Sequence, residues 1–195
     1  MQPLALIFDC DGTLTDSMPL HFLAWHNVMN RHGVEFSEDR FYALGGMPSE
    51  KIIAMLSVEY GLNLNVAQLT REKEDGFLEQ LPLLEEIPIV TQVVRDHRGR
   101  LPMAVASGGL RHIIELQLQQ IGLADCFDTL VTAEDTERHK PDPDVFLEAA
   151  RRLRVPPADC RVYEDSDLGI EAARRAGMSW VDVRSFHRPR RITGS

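Results

Sequence analysis

Residues 9–16 read DCDGTLTD and follow directly on the apolar run LALIF. Asp9, Asp11 and Asp16 therefore gather within eight residues at the end of a strand-like segment. Carboxylates packed this closely repel, and each is costly to bury without a partner. The cluster makes physical sense where a cation sits among the groups. A calcium loop is excluded. Counting from Asp9 places Leu14 where that loop needs glycine and Leu20 where it needs glutamate.

Three other stretches carry matching chemistry. Ser107-Gly108-Gly109 follows the apolar run MAVA, HKPDPD with Lys140 follows TLVT, and Glu164-Asp165-Ser166-Asp167 follows RVY. A hydroxyl with adjoining glycine N–H groups and an ammonium are donors for the non-bridging oxygens of a phosphate. Carboxylates from two loops suit a hard divalent ion such as Mg2+. Singly, SGG reads as a turn, Lys-Pro as surface, and EDSD as a solvated helix start opposing the helix dipole. Their succession, each at its own strand end, points to one site.

The elements that must position these residues are legible as an alternation. Apolar runs at 4–8, 103–106, 129–132, 161–163 and 180–183 read as strands, and helical periodicity runs through 110–122, 143–155 and 167–177. Gly122 and Gly177 are the expected stops of two of these helices. Strand alternating with helix predicts an α/β fold with a Rossmann-like parallel sheet covered on both faces, its ligands beyond the carboxyl ends of the strands. Residues 17–82 break the alternation, with helical stretches at 18–32, 48–60 and 67–81. We expect a core of 1–16 plus 83–195 and a helical insert at 17–82, with the proline-bearing run LPLLEEIPIV (81–90) as the return joint.

Composition narrows the function. The 195 residues are 44% hydrophobic and 26% charged, as in ordinary globular chains, and the net charge is −9. No basic patch tracks a phosphodiester backbone, so nucleic acid is not an expected partner. The basic run HRPRR (187–191) reads as a solvated tail, the ordinary state of an unanchored terminus. Cys10, Cys126 and Cys160 are odd in number and lack metal-ligand spacing, which fits a reducing compartment. With no apolar segment long enough for a signal or a membrane span, a cytoplasmic monomer is expected.

Together, DCDGT, VASGG, HKPDPD and YEDSDLGIEAARRAG resemble the four motifs of the haloacid dehalogenase-like hydrolase superfamily. TDSMPLHFLAW and KPDPDVFLEAARRL resemble, more narrowly, the branch holding β-phosphoglucomutase and bacterial sugar-phosphate phosphatases of the fructose-1-phosphatase type. The short stretch after WVDVR is closer to those phosphatases. The resemblance implies a small four-helix cap in the insert and Mg2+-dependent hydrolysis of a phosphorylated sugar. It makes Asp9 the nucleophile that becomes an aspartyl-phosphate, and Asp11 the acid/base that lends its backbone carbonyl to the metal. Asp165 completes the metal site, with Glu164 either a ligand or one layer behind it, Ser107 and Gly108 bind the phosphoryl group, and Lys140 steadies Asp9.

In the insert, the resemblance gives His21 contacts to Asp11 and substrate, and makes LGGMPSEK (44–51) a specificity loop. Gly45 and Gly46 there permit close backbone approach. The mutase carries an arginine for a distal phosphate where this chain has Ser49. Lys51 is the expected partial substitute, although an ammonium lacks the guanidinium fork. This departure favours phosphatase over mutase. Lys73 is read either as a cationic contact from the insert or as part of a solvated helix face, and Trp25 as core rather than a sugar platform. Asp16 is expected to cap the first insert helix or brace the loop, and Thr13 to shape the loop. A dehalogenase is disfavoured by Asp11, and a non-catalytic phosphometabolite-binding module by the intact set Asp9, Asp11, Ser107, Lys140 and Asp165.

Overall fold

In the computed structural model, which describes residues 2–192, the apolar runs become β1 (Ala5–Phe8), β2 (Met103–Ala106), β3 (Thr129–Val131), β4 (Cys160–Glu164) and β5 (Ser179–Asp182). They form one parallel sheet in the order β3-β2-β1-β4-β5, with Ile7 paired to Ala104 on one side and Val162 on the other. Both faces of the sheet are apolar, as a parallel sheet covered on both sides requires. Leu6, Phe8, Met103 and Val105 pack against α5 (Pro88–His97) and α6 (Arg111–Gln120). Ala5, Ile7, Ala104 and Ala106 pack against α7 (Asp144–Leu153) and α8 (Asp167–Arg175), where the small alanines leave room for Phe146.

Between β1 and α5 run α1 (Met18–Arg31), α2 (Glu38–Ala43), α3 (Ser49–Glu59) and α4 (Val66–Leu78). These bury their own cluster, including Phe22, Trp25, Phe36, Ile53, Leu56 and Leu69. A smaller cluster of Ala24, Phe77 and Ile113 joins α1 and α4 to α6. The outgoing and returning chains run side by side, with Asp16 N–H donating to the Glu85 carbonyl and Ile87 N–H to the Leu14 carbonyl, each at 2.9 Å.

Two helices differ from the sequence expectation. The run at 81–90 is not merely a joint. Leu81–Leu83 is a short 3-10 turn, and Pro88 opens α5, where a missing N–H costs nothing and the fixed φ suits the first helical turn. Helix α2 has six residues, too few to show periodicity, and its start is marked by Ser37, whose hydroxyl accepts from Arg40 N–H.

Asp16 does not cap α1. Ser17 holds the cap position, and its hydroxyl is drawn off to Asp11, while Asp16 braces the loop through its backbone. The tail is also not a freely solvated one. Arg191 stacks on Tyr42 at 3.9 Å and pairs with Asp39 at 3.3 Å, Ile192 N–H donates to Glu38 at 2.8 Å, and His187 lies 3.3 Å from Asp16. Residues 193–195 lie outside the described residues. Among the described residues no helix is long and apolar enough to cross a membrane.

Candidate active site

The carboxyl ends of β1, β2 and β4 and the loop after β3 converge on one side of the sheet. Asp9 follows β1 and Ser107 follows β2, whereas Glu164 closes β4 and Asp165 follows it. Asp9, Glu164 and Asp165 each offer a carboxylate oxygen, all within 4.8 Å of one another. Lys140 is buried beneath them, its Nζ at 2.7 Å from Asp9 Oδ1 and 3.5 Å from Glu164 Oε1. Thr13 is more than loop geometry, since its hydroxyl donates to Asp165 Oδ1 at 3.2 Å. Gly12 makes the close packing possible. Its φ is +77°, and a Cβ there would fall 2.2 Å from Asp165 Oδ2.

Electrostatics follow from this crowding. Burial, then the charge of Glu164, push the Asp9 carboxyl up to about 8 against the pull of Lys140. Burial, Glu164 and Asp9 likewise raise Asp165. For Lys140, burial works to lower the pKa, but Asp9 and Glu164 outweigh it and hold the ammonium above the ordinary lysine range. Cys10, between the two aspartates, is pushed up by burial and the charges of Asp11 and Asp9, which makes it a poor nucleophile. The three cysteines are buried and free.

Asp11 faces away from this cluster, toward the insert. Its Oδ1 accepts from Ser17 Oγ at 2.7 Å, His21 Nε2 at 2.8 Å and Gln117 Nε2 at 2.9 Å. Burial works to raise the Asp11 pKa, but His21, Ser17 and Gln117 outweigh it and hold the carboxyl below its ordinary range. On the other side of the ring, Lys73 Nζ lies 3.0 Å from His21 Nδ1. An ammonium only donates, so Nδ1 is the acceptor and the proton that reaches Asp11 is on Nε2. Lys73 is thus buried rather than on a solvated face, and it also lies 3.1 Å from Glu74 Oε1.

Core and insert border a cavity lined by Asp9, Asp11 and Asp165 below and by His21, Ser49, Lys73 and Glu74 above. Ser107 lines it as well, its Oγ accepting from Gly109 N–H at 3.0 Å. Gly108 and Gly46 meet where the core touches the insert, since a Cβ on Gly108 would fall 2.4 Å from the Gly46 carbonyl oxygen. Trp25 belongs to the insert's core and shows one part to the cavity. Lys51 lies elsewhere. It is exposed and outside the cavity lining, because the inward face of α3 is taken by Ser49, Ile52 and Ile53.

The order of these loops along the chain matches a family as well as a geometry. A model of the haloacid dehalogenase-like hydrolases matches residues 6–183. The chain belongs to this family. Among the family's curated members it is 41% identical over 180 residues to fructose-1-phosphate phosphatase YqaB of Escherichia coli (strain K12), covering 92% of this chain and 95% of that protein. It is 30% identical over 190 residues to β-phosphoglucomutase of Bacillus subtilis (strain 168), covering 92% and 82%. A solved hydrolase from Pseudomonas syringae superposes with a TM-score of 0.84 at 25% identity, over 95% of this chain and 87% of that one. This haloacid dehalogenase-like hydrolase is a phosphoric monoester hydrolase.

Phosphatases of this family generally use Mg2+, and the donor set fits a divalent metal. Three carboxylates oppose a single ammonium, leaving an excess of negative charge that a divalent cation balances, and the all-oxygen ligands suit Mg2+. Asp9, Asp165 and Glu164 are the side chains placed to hold it. The Asp11 side chain is not among them, being committed to the insert.

Sequence reasoning missed Gln117, Ser17 and Glu74. Gln117 is a fully buried polar residue on α6 that accepts from Thr15 Oγ1 at 2.7 Å while donating to Asp11. Its signal was a glutamine on the apolar side of the helical stretch 110–122.

Proposed function

We propose that this enzyme is a Mg2+-dependent phosphatase that hydrolyses small sugar phosphates of the fructose-1-phosphate kind through phosphorylated Asp9. Residues 17–82 act as the cap that closes over the substrate. The observation that carries this reading is the division of labour between two aspartates two residues apart. Asp9 is tied to Lys140 in the core, and Asp11 is tied to His21 and Ser17 of the insert. The extent of similarity to the E. coli fructose-1-phosphate phosphatase supports the substrate class.

Bound at Asp9, Asp165 and Glu164, the metal supplies positive charge that lets a carboxylate approach an anionic phosphate. Lys140 holds the Asp9 carboxylate in place. An Asp9 oxygen bonds to phosphorus as the ester P–O bond breaks, and the leaving sugar oxygen takes a proton from Asp11. Water then attacks phosphorus with Asp11 accepting its proton, which frees Asp9 and inorganic phosphate. The donors on Asp11 all use Oδ1, so Oδ2 remains for the travelling proton. A dianionic phosphate beside Asp11 raises its proton affinity, which favours the acid form when substrate is present. Ser107 and Gly108 donate to the phosphoryl oxygens, and the closed insert excludes water from the first step. The buried, free thiols suit a cytoplasmic setting.

A mutase reading is weaker on this structure. Ser49 stands where the mutase carries its arginine, its hydroxyl bonds Glu74 at 2.9 Å, and Lys51 is exposed and outside the cavity lining. The test is phosphate release from a panel of sugar phosphates with and without Mg2+, with Asp9→Asn beside the wild type. Metal-dependent release abolished by the substitution is expected. Undiminished release by the variant refutes the nucleophile, and conversion of β-glucose-1-phosphate to glucose-6-phosphate in place of phosphate release refutes the hydrolase.

A further inference from the structure

We propose that Glu74 sets the charge of substrate that this enzyme accepts. With Ser49 it forms an acceptor surface for the hydroxyls of a sugar monophosphate and a barrier to a second phosphate group. This inference rests on the sugar-phosphate reading of the cavity and refines it.

Glu74 follows Lys73 on α4, and both side chains are buried while lining the same cavity as Asp9 and Asp11. Among the described residues lining that cavity, Lys73 is the one ammonium, and there is no guanidinium. A lone lysine there would be a ready anchor for a distal phosphate. Here its charge is already answered. Lys73 Nζ lies 3.1 and 3.2 Å from the two Glu74 oxygens and 3.0 Å from His21 Nδ1, which takes up its donors within the insert. Burial disfavours a charged Glu74, but Lys73 leads the contacts that outweigh it, so the group stays a carboxylate.

The upper half of the cavity therefore offers acceptors. A carboxylate has about four acceptor positions, of which Lys73 and Ser49 occupy three, leaving one for a substrate hydroxyl. The Ser49 oxygen, having donated to Glu74, accepts another. A hydroxylated carbon chain satisfies both. A phosphate in the same place meets a buried like charge with no spare cation. A bisphosphate suffers this in either orientation, since whichever phosphate sits over Asp9 sends the other toward Glu74.

The experiment compares kcat/KM for phosphate release from fructose 1-phosphate and from fructose 1,6-bisphosphate, in the Mg2+-loaded wild type, Glu74→Gln and Glu74→Asp. The wild type is expected to prefer the monophosphate by on the order of a hundredfold. Glu74→Gln narrows the ratio tenfold or more, chiefly through KM for the bisphosphate, and Glu74→Asp preserves it. Should Glu74→Gln fail to fold because Lys73 is left unpaired, the double variant Lys73→Met/Glu74→Leu removes both charges and is expected to narrow the ratio likewise. A ratio unchanged on loss of the carboxylate, or a wild type indifferent to the second phosphate, overturns the role of Glu74 alone. A wild type that releases phosphate from p-nitrophenyl phosphate but from neither sugar overturns the sugar-phosphate reading and this inference with it.

Discussion

Lys140 Nζ stands 2.7 Å from Asp9 Oδ1, so that a cation from the loop after β3 is buried against the carboxylate at the end of β1. Its removal leaves Asp9, Glu164 and Asp165 without their nearest positive charge. Lys140→Met is expected to abolish turnover. It should also destabilise the fold by roughly 3–5 kcal/mol, the range for breaking a buried ion pair, as read from urea unfolding without divalent cation. Adding Mg2+ should recover part of that loss, because the ion binds the folded variant and balances the same carboxylates.

At the contact between Gly108 and Gly46, there is no room for a methyl group. In Gly108→Ala the added carbon must push the insert off the core, since the obstacle 2.4 Å away is a backbone oxygen. Activity should fall by about a hundredfold, the scale of an ångström's misplacement, with the melting temperature little changed. Steady-state kinetics beside a thermal melt separates the two.

Gln117 touches Asp11 from the core side and lies outside the residues that line the cavity. Gln117→Leu removes one hydrogen bond to a charged group, worth about 1.5–3 kcal/mol. The expected result is a ten- to hundredfold fall in kcat with KM nearly constant. A change confined to KM would mean that the residue acts on substrate binding instead.

Acid should weaken the fold at a second cluster, around Asp135. Asp135 accepts from Thr132 N–H at 2.8 Å and pairs with Arg111 at 2.6 Å and Arg152 at 2.7 Å. Burial works to raise its carboxyl, but Arg152, Thr132 and Arg111 outweigh it and lower the pKa from 3.8 to about 2. The unfolded chain then binds protons more readily than the folded one. The stabilisation is thus complete above about pH 4 and is lost as pH falls through 2. Urea midpoints of wild type and Asp135→Asn should converge as pH is lowered from 6 toward 3.

The tail's ion pairs, Arg191 with Asp39 of α2 and His187 with Asp16, are few and in part exposed, so deleting residues 187–195 should cost less than about 1 kcal/mol per ion pair. Its expected mark is faster amide exchange in α2 and a shifted KM, both imitated in the intact chain by high salt, which screens the same pairs.

Much of the core was legible because most strands are apolar runs that end in small or acidic residues, as at Phe8-Asp9 and Ala106-Ser107. Position along the chain then stood in for position in space. Helices resisted this reading. Whether Lys73 met solvent or Asp11's partner depended on which side of α4 faced α1, and periodicity in a charged stretch such as REKEDG does not fix that. Lys51 was misplaced for the same reason, since one residue along a helix turns a side chain about 100°. Gln117 meets Asp11 across 106 positions of sequence, and no local pattern announces such a partner. Pro88 misled because proline closes some segments and opens others.

Strand β1 has a neighbour on either side and helices above and below, whereas the insert is fastened by two chain crossings, one small apolar cluster, the hydrogen bonds of Ser17 and His21 to Asp11, the Gly46–Gly108 contact and the tail. Amides of Leu6 to Phe8 should therefore exchange only through global opening, and those of α2 through cheap local excursions. Mild denaturant would then silence the enzyme while the sheet still holds its circular dichroism, and dilution would restore turnover without refolding the sheet.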